Sequence, residues 1–377
     1  MGILQTILQT LAGIIVSFLI FWGSIIPGLQ LHTVNTPPAV SEQAAFPTAP
    51  VATSTKETDQ KSSGLPSRAA VTNGGLAGQT FVQPPLPSPT TPTKSQEQIN
   101  TETRAALVNI LCMPQTGLSS GISGSGVVVD SRGVILTNAH VAQFFLLRDY
   151  LQPGNVSCVV RVGSPAQERY TATLLYLPPA WVAENASQIK AAQATGTGEQ
   201  DFAFLLITGR TDPSAALPAT FPHLAMDRTY VDIGEPMLLA AYPAGFLGNE
   251  SVQKNLYISS AIAYVTQLFS FNSAKNVDLF SIGGTVVSQG GSSGGAAVRL
   301  TDGKLAGIIV TETVAATTGE RDLRALSLAH IDNTLIASDK GGIVGLLVGD
   351  LAAKAAAFNT QVAPSETALL EAVLKGN

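Results

Sequence analysis

The chain has 377 residues, 45% of them apolar and 12% charged, with a net charge of −5. This is length enough for one or two domains with a sizeable core, and the absence of a basic stripe excludes nucleic acid as a partner. Its 35 glycines and 22 prolines favour a turn-rich architecture over a helical bundle. The four histidines, His32, His140, His223 and His330, have no cysteine or acidic cluster at ligand spacing, so no metal site is expected.

Residues 1–41 contain no Lys, Arg, Asp or Glu, and Ile3 to Ile26 is largely apolar. A helix of that length spans a bilayer core of about 30 Å, and Pro27 stops it. Residues 1–28 are therefore read as a retained membrane anchor. The alternative is a cleaved secretory signal, although the run is long for one and lacks a basic start and a small-x-small cleavage site. Residues 29–102, with FVQPPLPSPTTPTKSQEQ, read as a disordered Pro/Ser/Thr-rich stalk.

From about residue 103 the texture changes to short apolar runs punctuated by Gly, Asp and Asn. ALVNILCM, SGVVVD, GVILTNA, SCVVRV, DFAFLLI, PMLLAAY, SAIAYVTQL, GGTVV, AAVRL and LAGIIVTET all read as strands. Roughly ten short strands with few helical patterns predict an all-β barrel or sandwich. The last residues, 339–377, are a helical tail, with helices at Ile343 to Phe358 and Pro364 to Lys375, Ser365 as an N-cap and Gly376 as a terminator. Cys112 and Cys158, the only cysteines, both fall in predicted strands. They are either buried core thiols or, in an oxidising compartment, a disulfide.

Three patterns carry chemistry. GSGVVVDSRGVILTNAHV closes a hairpin on His140, GEQDFAFLLI places Asp201 at the mouth of an apolar strand, and GGSSGG precedes another hairpin. Each alone has a bland reading: a structural histidine, a strand-edge aspartate, a flexible Gly/Ser linker. A phosphate-cradling loop is excluded for GGSSGG, which lacks the lysine of a P-loop and is not followed by a helical pattern. Together they run His140, Asp201, Ser293, the chain order of the chymotrypsin-type barrel triad.

TNAHV (137–141), DFAFL (201–205), GSSGG (291–295) and IGEPMLLAAYPAGF (233–246) resemble the segments of trypsin-like serine peptidases, most closely the HtrA/DegP branch. The resemblance runs from about Ala105 to about Ser338. It implies a domain at 103–338 with two six-stranded chymotrypsin-like antiparallel β-barrels, at about 104–215 and 225–338, and the active site between them. Alignment puts Ser293, not Ser292, at the nucleophile position, with His140 as its general base. Asp201 then orients the imidazole, and the N–H groups of Gly291 and Ser293 form an oxyanion hole. The position six before the nucleophile, Val287, and the loop from Thr311 to Gly319 fall at the primary specificity pocket, where the lack of an acid argues for cleavage after apolar residues.

The same resemblance implies protein or peptide substrates, no cofactor, a catalytic domain outside the cytoplasm, and work in envelope protein processing or quality control. A homo-oligomer stays open, since HtrA relatives commonly form trimers. Departures from the family pattern are Ser292 in place of Asn, Ala296 in place of Pro, and extra sequence at LPPAWVAENASQIKAAQATGTG, read as a surface insertion that shapes substrate access. The residues after the barrels are too few for the PDZ module usual in that branch. The competing function is a catalytically inactive protease-like scaffold. Asn155, Asn185 and Asn249 stand in glycosylation sequons.

Overall fold

A computed structural model describes residues 94–118, 121–191, 197–272, 276–312 and 317–376. All of these belong to one compact unit, Gln83–Asn377. The expected anchor at residues 3–26 lies outside the described residues. No helix among the described residues is long and apolar enough to cross a membrane.

The stalk expected to run to residue 102 gives way earlier to a helix, α1 (Gln96–Ala106). Ser95 caps it by accepting from the Gln98 N–H, and Ile99, Thr103 and Ala106 turn one buried face inward. The polar composition of KSQEQINTETR hid that stripe, which has a single large apolar residue.

The first sheet is a closed barrel of β1 (Leu107–Pro114), β2 (Ile122–Asp130), β3 (Val134–Thr137), β4 (Val156–Val162), β5 (Gln167–Tyr176) and β6 (Ala203–Arg210), ordered β1-β2-β3-β6-β5-β4. A tight turn joins β2 to β3, closed by the Gly133 N–H to the Asp130 carbonyl at 2.9 Å. Gly133 sits at φ +88° with Phe221 against it, a place with no room for a side chain. Cys112 and Cys158 face each other in the β1–β4 register and form a disulfide, with Cα atoms 4.0 Å apart. Asn155, buried, uses its amide on Thr116, which leaves it no means to carry a glycan.

The second sheet departs from the expected six-stranded barrel. It has seven strands, β7 (Pro236–Ala241), β8 (Ser259–Tyr264), β9 (Gln267–Phe269), β10 (Leu279–Gly283), β11 (Ala296–Arg299), β12 (Leu305–Glu312) and β13 (Leu323–Ser327). Their order is β8-β7-β11-β12-β13-β10-β9, with β8 and β9 as the two edges. The run SAIAYVTQL, read as one strand, bends at Val265–Thr266. Its first half therefore pairs with β7 and its second half with β10. GGTVV is not a strand either: after Gly283 the chain leaves the sheet in turns toward residue 291.

After a short helix between β7 and β8, α4 (Asn249–Lys254), four more follow the second sheet: α5 (Leu328–Ala337), α6 (Gly342–Leu347), α7 (Leu351–Gln361) and α8 (Ala363–Lys375). The single helix expected at 343–358 is broken because Gly349 adopts φ +81° and Asp350 caps α7, accepting from the Ala352 and Ala353 N–H groups. Ser365 lies inside the first turn of α8, whose N-cap is Val362; Gly376 does terminate it, at φ +86°. The tail folds back on the first barrel, where Asn359 donates to the Leu174 carbonyl and Thr367 to that of Leu146. The described part of the extra sequence after β5, expected as a surface insertion, is partly built into the core. It forms α3 (Pro179–Asn185), buries Trp181 and Val182, and shares one apolar core with Leu370 of α8.

Candidate active site

His140 arrives at the end of β3, where the chain turns at once into the four-residue helix α2 (Ala139–Ala142). Asn138 stands at its N-cap, and its amide donates to the Asp201 carbonyl at 2.8 Å. Asp201 precedes β6, the neighbour of β3 in the barrel, so sheet pairing sets the two residues side by side. Its carboxylate holds His140 twice: Oδ1 accepts the backbone N–H at 2.9 Å and Oδ2 lies 2.7 Å from Nδ1. With Nδ1–H donating to the carboxylate, the neutral ring keeps its lone pair on Nε2, the arrangement a general base needs. Burial works against a charged imidazole, but the Asp201 charge and hydrogen bond outweigh it, and the His140 pKa is raised above the ordinary value.

The loop 290–295 enters from the second sheet and is wired peptide by peptide. The carbonyls of Gly290, Gly291, Ser292 and Ser293 accept, in turn, from the Ala244 N–H, the Ser125 hydroxyl, the Gly295 N–H and the Ser125 N–H. The N–H groups of Ser292, Gly294 and Gly295 are also used, on Gln289, Ile309 and Ser292. Those of Gly290, Gly291 and Ser293 have no acceptor among the described residues, and the Gly294 carbonyl has no donor there. Two positions in this loop require glycine. Gly291 lies at φ +89° with Ala244 and the Tyr242 carbonyl against it. Gly294 lies at φ +83°, and a Cβ there would sit 2.1 Å from the Ser125 carbonyl oxygen and 2.6 Å from Thr137 Oγ1.

The two serines of GSSGG occupy different environments. Ser292 is 1% exposed and its hydroxyl has no partner among the described residues, whereas Ser293 is only half-buried. The Ser293 backbone lies against β2 through Ser125, whose carbonyl in turn accepts from the hydroxyl of Thr137, three residues before His140. The fold thus brings the 293 loop against the strands that deliver His140. Val287 is fully buried in the apolar core of the second sheet, and Thr311 pairs through its backbone with Arg324. Asn138, Thr137 and Ser125 were not singled out from sequence, although all three lie inside the quoted GSGVVVDSRGVILTNAHV. Among the described residues no cluster of His, Cys, Asp or Glu is arranged to hold a metal ion.

No curated protein matches the chain by sequence search. Among solved structures, the chain is similar to the Rv3671c protease from M. tuberculosis in its active form, at 18% identity and a TM-score of 0.41, over 68% of this chain and 92% of that one. Residues 124–308 match the trypsin-like peptidase domain family. That interval contains the His140–Asp201 pair and the 290–295 loop, and over it the chain carries a trypsin-like peptidase domain.

Proposed function

We propose that this peptidase cleaves peptide bonds through Ser293, His140 and Asp201, with the N–H groups of Gly291 and Ser293 as the oxyanion hole. The observation that supports the reading is the loop wiring: the N–H groups of Ser292, Gly294 and Gly295 are committed, whereas those of Gly291 and Ser293, the pair a tetrahedral oxyanion requires, have no acceptor among the described residues. In the mechanism, His140 Nε2 takes the Ser293 hydroxyl proton as Oγ adds to the substrate carbonyl. The oxyanion formed is met by the two N–H groups. Collapse expels the amine, which takes the proton back from His140, and water activated by the same base releases the acyl group from Ser293. Asp201, holding both the ring and its backbone N–H, keeps the imidazole in one tautomer and offsets its charge at each step.

The inaccessibility of the Ser292 hydroxyl supports the choice of Ser293. Cleavage after small or medium apolar residues rests on the lack of an acid at position 287, since the Val287 side chain itself is fully buried in the core. Anchoring through residues 3–26, a catalytic domain outside the cytoplasm and a role in envelope protein processing complete the proposal. They rest on the sequence of the N-terminal region and the HtrA/DegP-like motifs.

A fluorophosphonate probe tests the assignment. Wild type and Ser292→Ala should be labelled and Ser293→Ala should not; a well-folded wild type that takes no label would instead make the domain an inactive scaffold.

A further inference from the structure

We propose that Ser125 is a positioning residue for the peptidase reaction, its hydroxyl and amide holding the 290–295 loop so that the Gly291 and Ser293 N–H groups converge. The proposal rests on the assignment of Ser293 and of those two N–H groups made above.

Ser125 lies on β2 of the first barrel, fully buried, yet two of its groups act on the loop of the second sheet. Its hydroxyl donates to the Gly291 carbonyl at 2.8 Å, and its N–H donates to the Ser293 carbonyl at 2.7 Å. The hydroxyl oxygen accepts the Tyr242 N–H at 2.9 Å, which leaves its proton to aim at Gly291. Its carbonyl accepts from Thr137 Oγ1 at 2.7 Å. One residue therefore ties together the strand leading to His140, the end of β7 and the nucleophile loop.

The need for such a tether follows from the loop's composition. A peptide plane carries its N–H opposite its C=O, so fixing a carbonyl fixes where the adjacent N–H points. The Gly290 and Ser292 carbonyls, which share planes with the N–H groups of Gly291 and Ser293, are held by Ala244 and Gly295. The planes that alternate with them, carrying the Gly291 and Ser293 carbonyls, are the ones Ser125 holds. Gly290 and Gly291 together make the softest stretch of backbone in the loop, and rotation of the Gly291–Ser292 plane would swing both neighbours. Ser125 blocks that rotation from outside the loop.

The test compares wild type with Ser125→Ala. Removing an oxyanion donor outright costs about 10²–10³ in kcat, and loosening its support should cost about 10–100-fold. KM should change little, and the affinity of a peptide boronic acid, whose adduct occupies the oxyanion site, should fall by the same factor as kcat/KM. Binding of the cleaved peptide product and the acid limb of the pH profile should not move, because His140 and Asp201 are untouched. A kcat within about twofold of wild type, or a loss carried by KM and product binding alike, overturns the proposal. If Ser125→Ala does not fold, Ser125→Cys, which keeps a weaker donor and acceptor, takes its place with a smaller loss in the same paired pattern; unchanged kcat there overturns it too. Failure of wild type to take the fluorophosphonate overturns the assignment of Ser293, and this proposal with it, whereas normal labelling with an indifferent Ser125→Ala overturns this proposal alone.

Discussion

Two histidine–aspartate pairs of similar geometry sit in this molecule, one in each half. His140 Nδ1 lies 2.7 Å from Asp201, and His330 Nδ1 lies 3.0 Å from Asp278. The second pair even has a hydroxyl beyond it, Thr334 Oγ1 at 3.4 Å from Nε2. What differs is the setting. Thr334 lies on the same helix as His330, one turn on, and the Phe271 ring packs edge-on against the imidazole at 5.0 Å. The other Asp278 oxygen is occupied by Ser270 and the Phe271 N–H. This second pair fastens α5 to the strand that follows Asp278. The first stands at the end of β3, a strand tied through Thr137 and Ser125 to a loop from the other sheet that holds uncommitted N–H groups and a half-buried serine. An imidazole–carboxylate pair becomes a base only where a nucleophile and an oxyanion site share its neighbourhood.

Substitutions should separate the two pairs sharply. Asp201→Asn should lower kcat by about 10⁴ while leaving a folded protein, since the neutral amide favours the wrong imidazole tautomer; steady-state cleavage of a peptide substrate reads this. His330→Ala should do the reverse, lowering unfolding free energy in urea by about 2–4 kcal/mol because Asp278 is left buried without its partner, with kcat of the folded fraction unchanged. An equal loss of kcat in both variants would break the comparison.

The smallest effect lies in pH. The His140 pKa is raised, so the acid limb of kcat/KM should have its midpoint above the ordinary histidine value, activity rising as the ring becomes neutral. The stability from this pair runs the other way. It is fully present below the unfolded-state value and is lost as pH rises through the folded pKa. For Asp278, burial opposes ionisation but the Phe271 N–H and His330 outweigh it, and its pKa is lowered. Its contribution is present above the unfolded carboxylate value and lost only as pH falls through the folded one. Urea titrations of His140→Ala and Asp278→Asn across pH should therefore diverge at opposite ends of the range.

The site was legible where chemistry is written in contiguous residues. TNAHV and DFAFL hold the paired His140 and Asp201, and GSSGG holds the proposed nucleophile, at strand-end and tight-turn positions that leave few alternatives in residue type. Ser125 carries no local signal, because its partner Gly291 is 166 residues away and nothing in its neighbourhood marks a buried serine as a tether. The strand β5 was missed because the residues at its start, QERYT, are polar and largely exposed, and the alternation that marks a strand appears only near its buried end. The second barrel was miscounted because the bend at Val265–Thr266 splits one apolar run between two partners. Pairing of that kind is fixed by the sheet as a whole, not by the run itself. The helix α1 escaped notice for the opposite reason, a buried stripe too sparse to stand out against its polar neighbours.

The central claim is that one of two adjacent serines is the nucleophile, and peptide mapping by tandem mass spectrometry tests it most directly. Wild-type protein treated with a fluorophosphonate, digested and sequenced across GGSSGG should carry the phosphonyl group on Ser293. A group found on Ser292, or none on either serine in folded protein, would contradict the account.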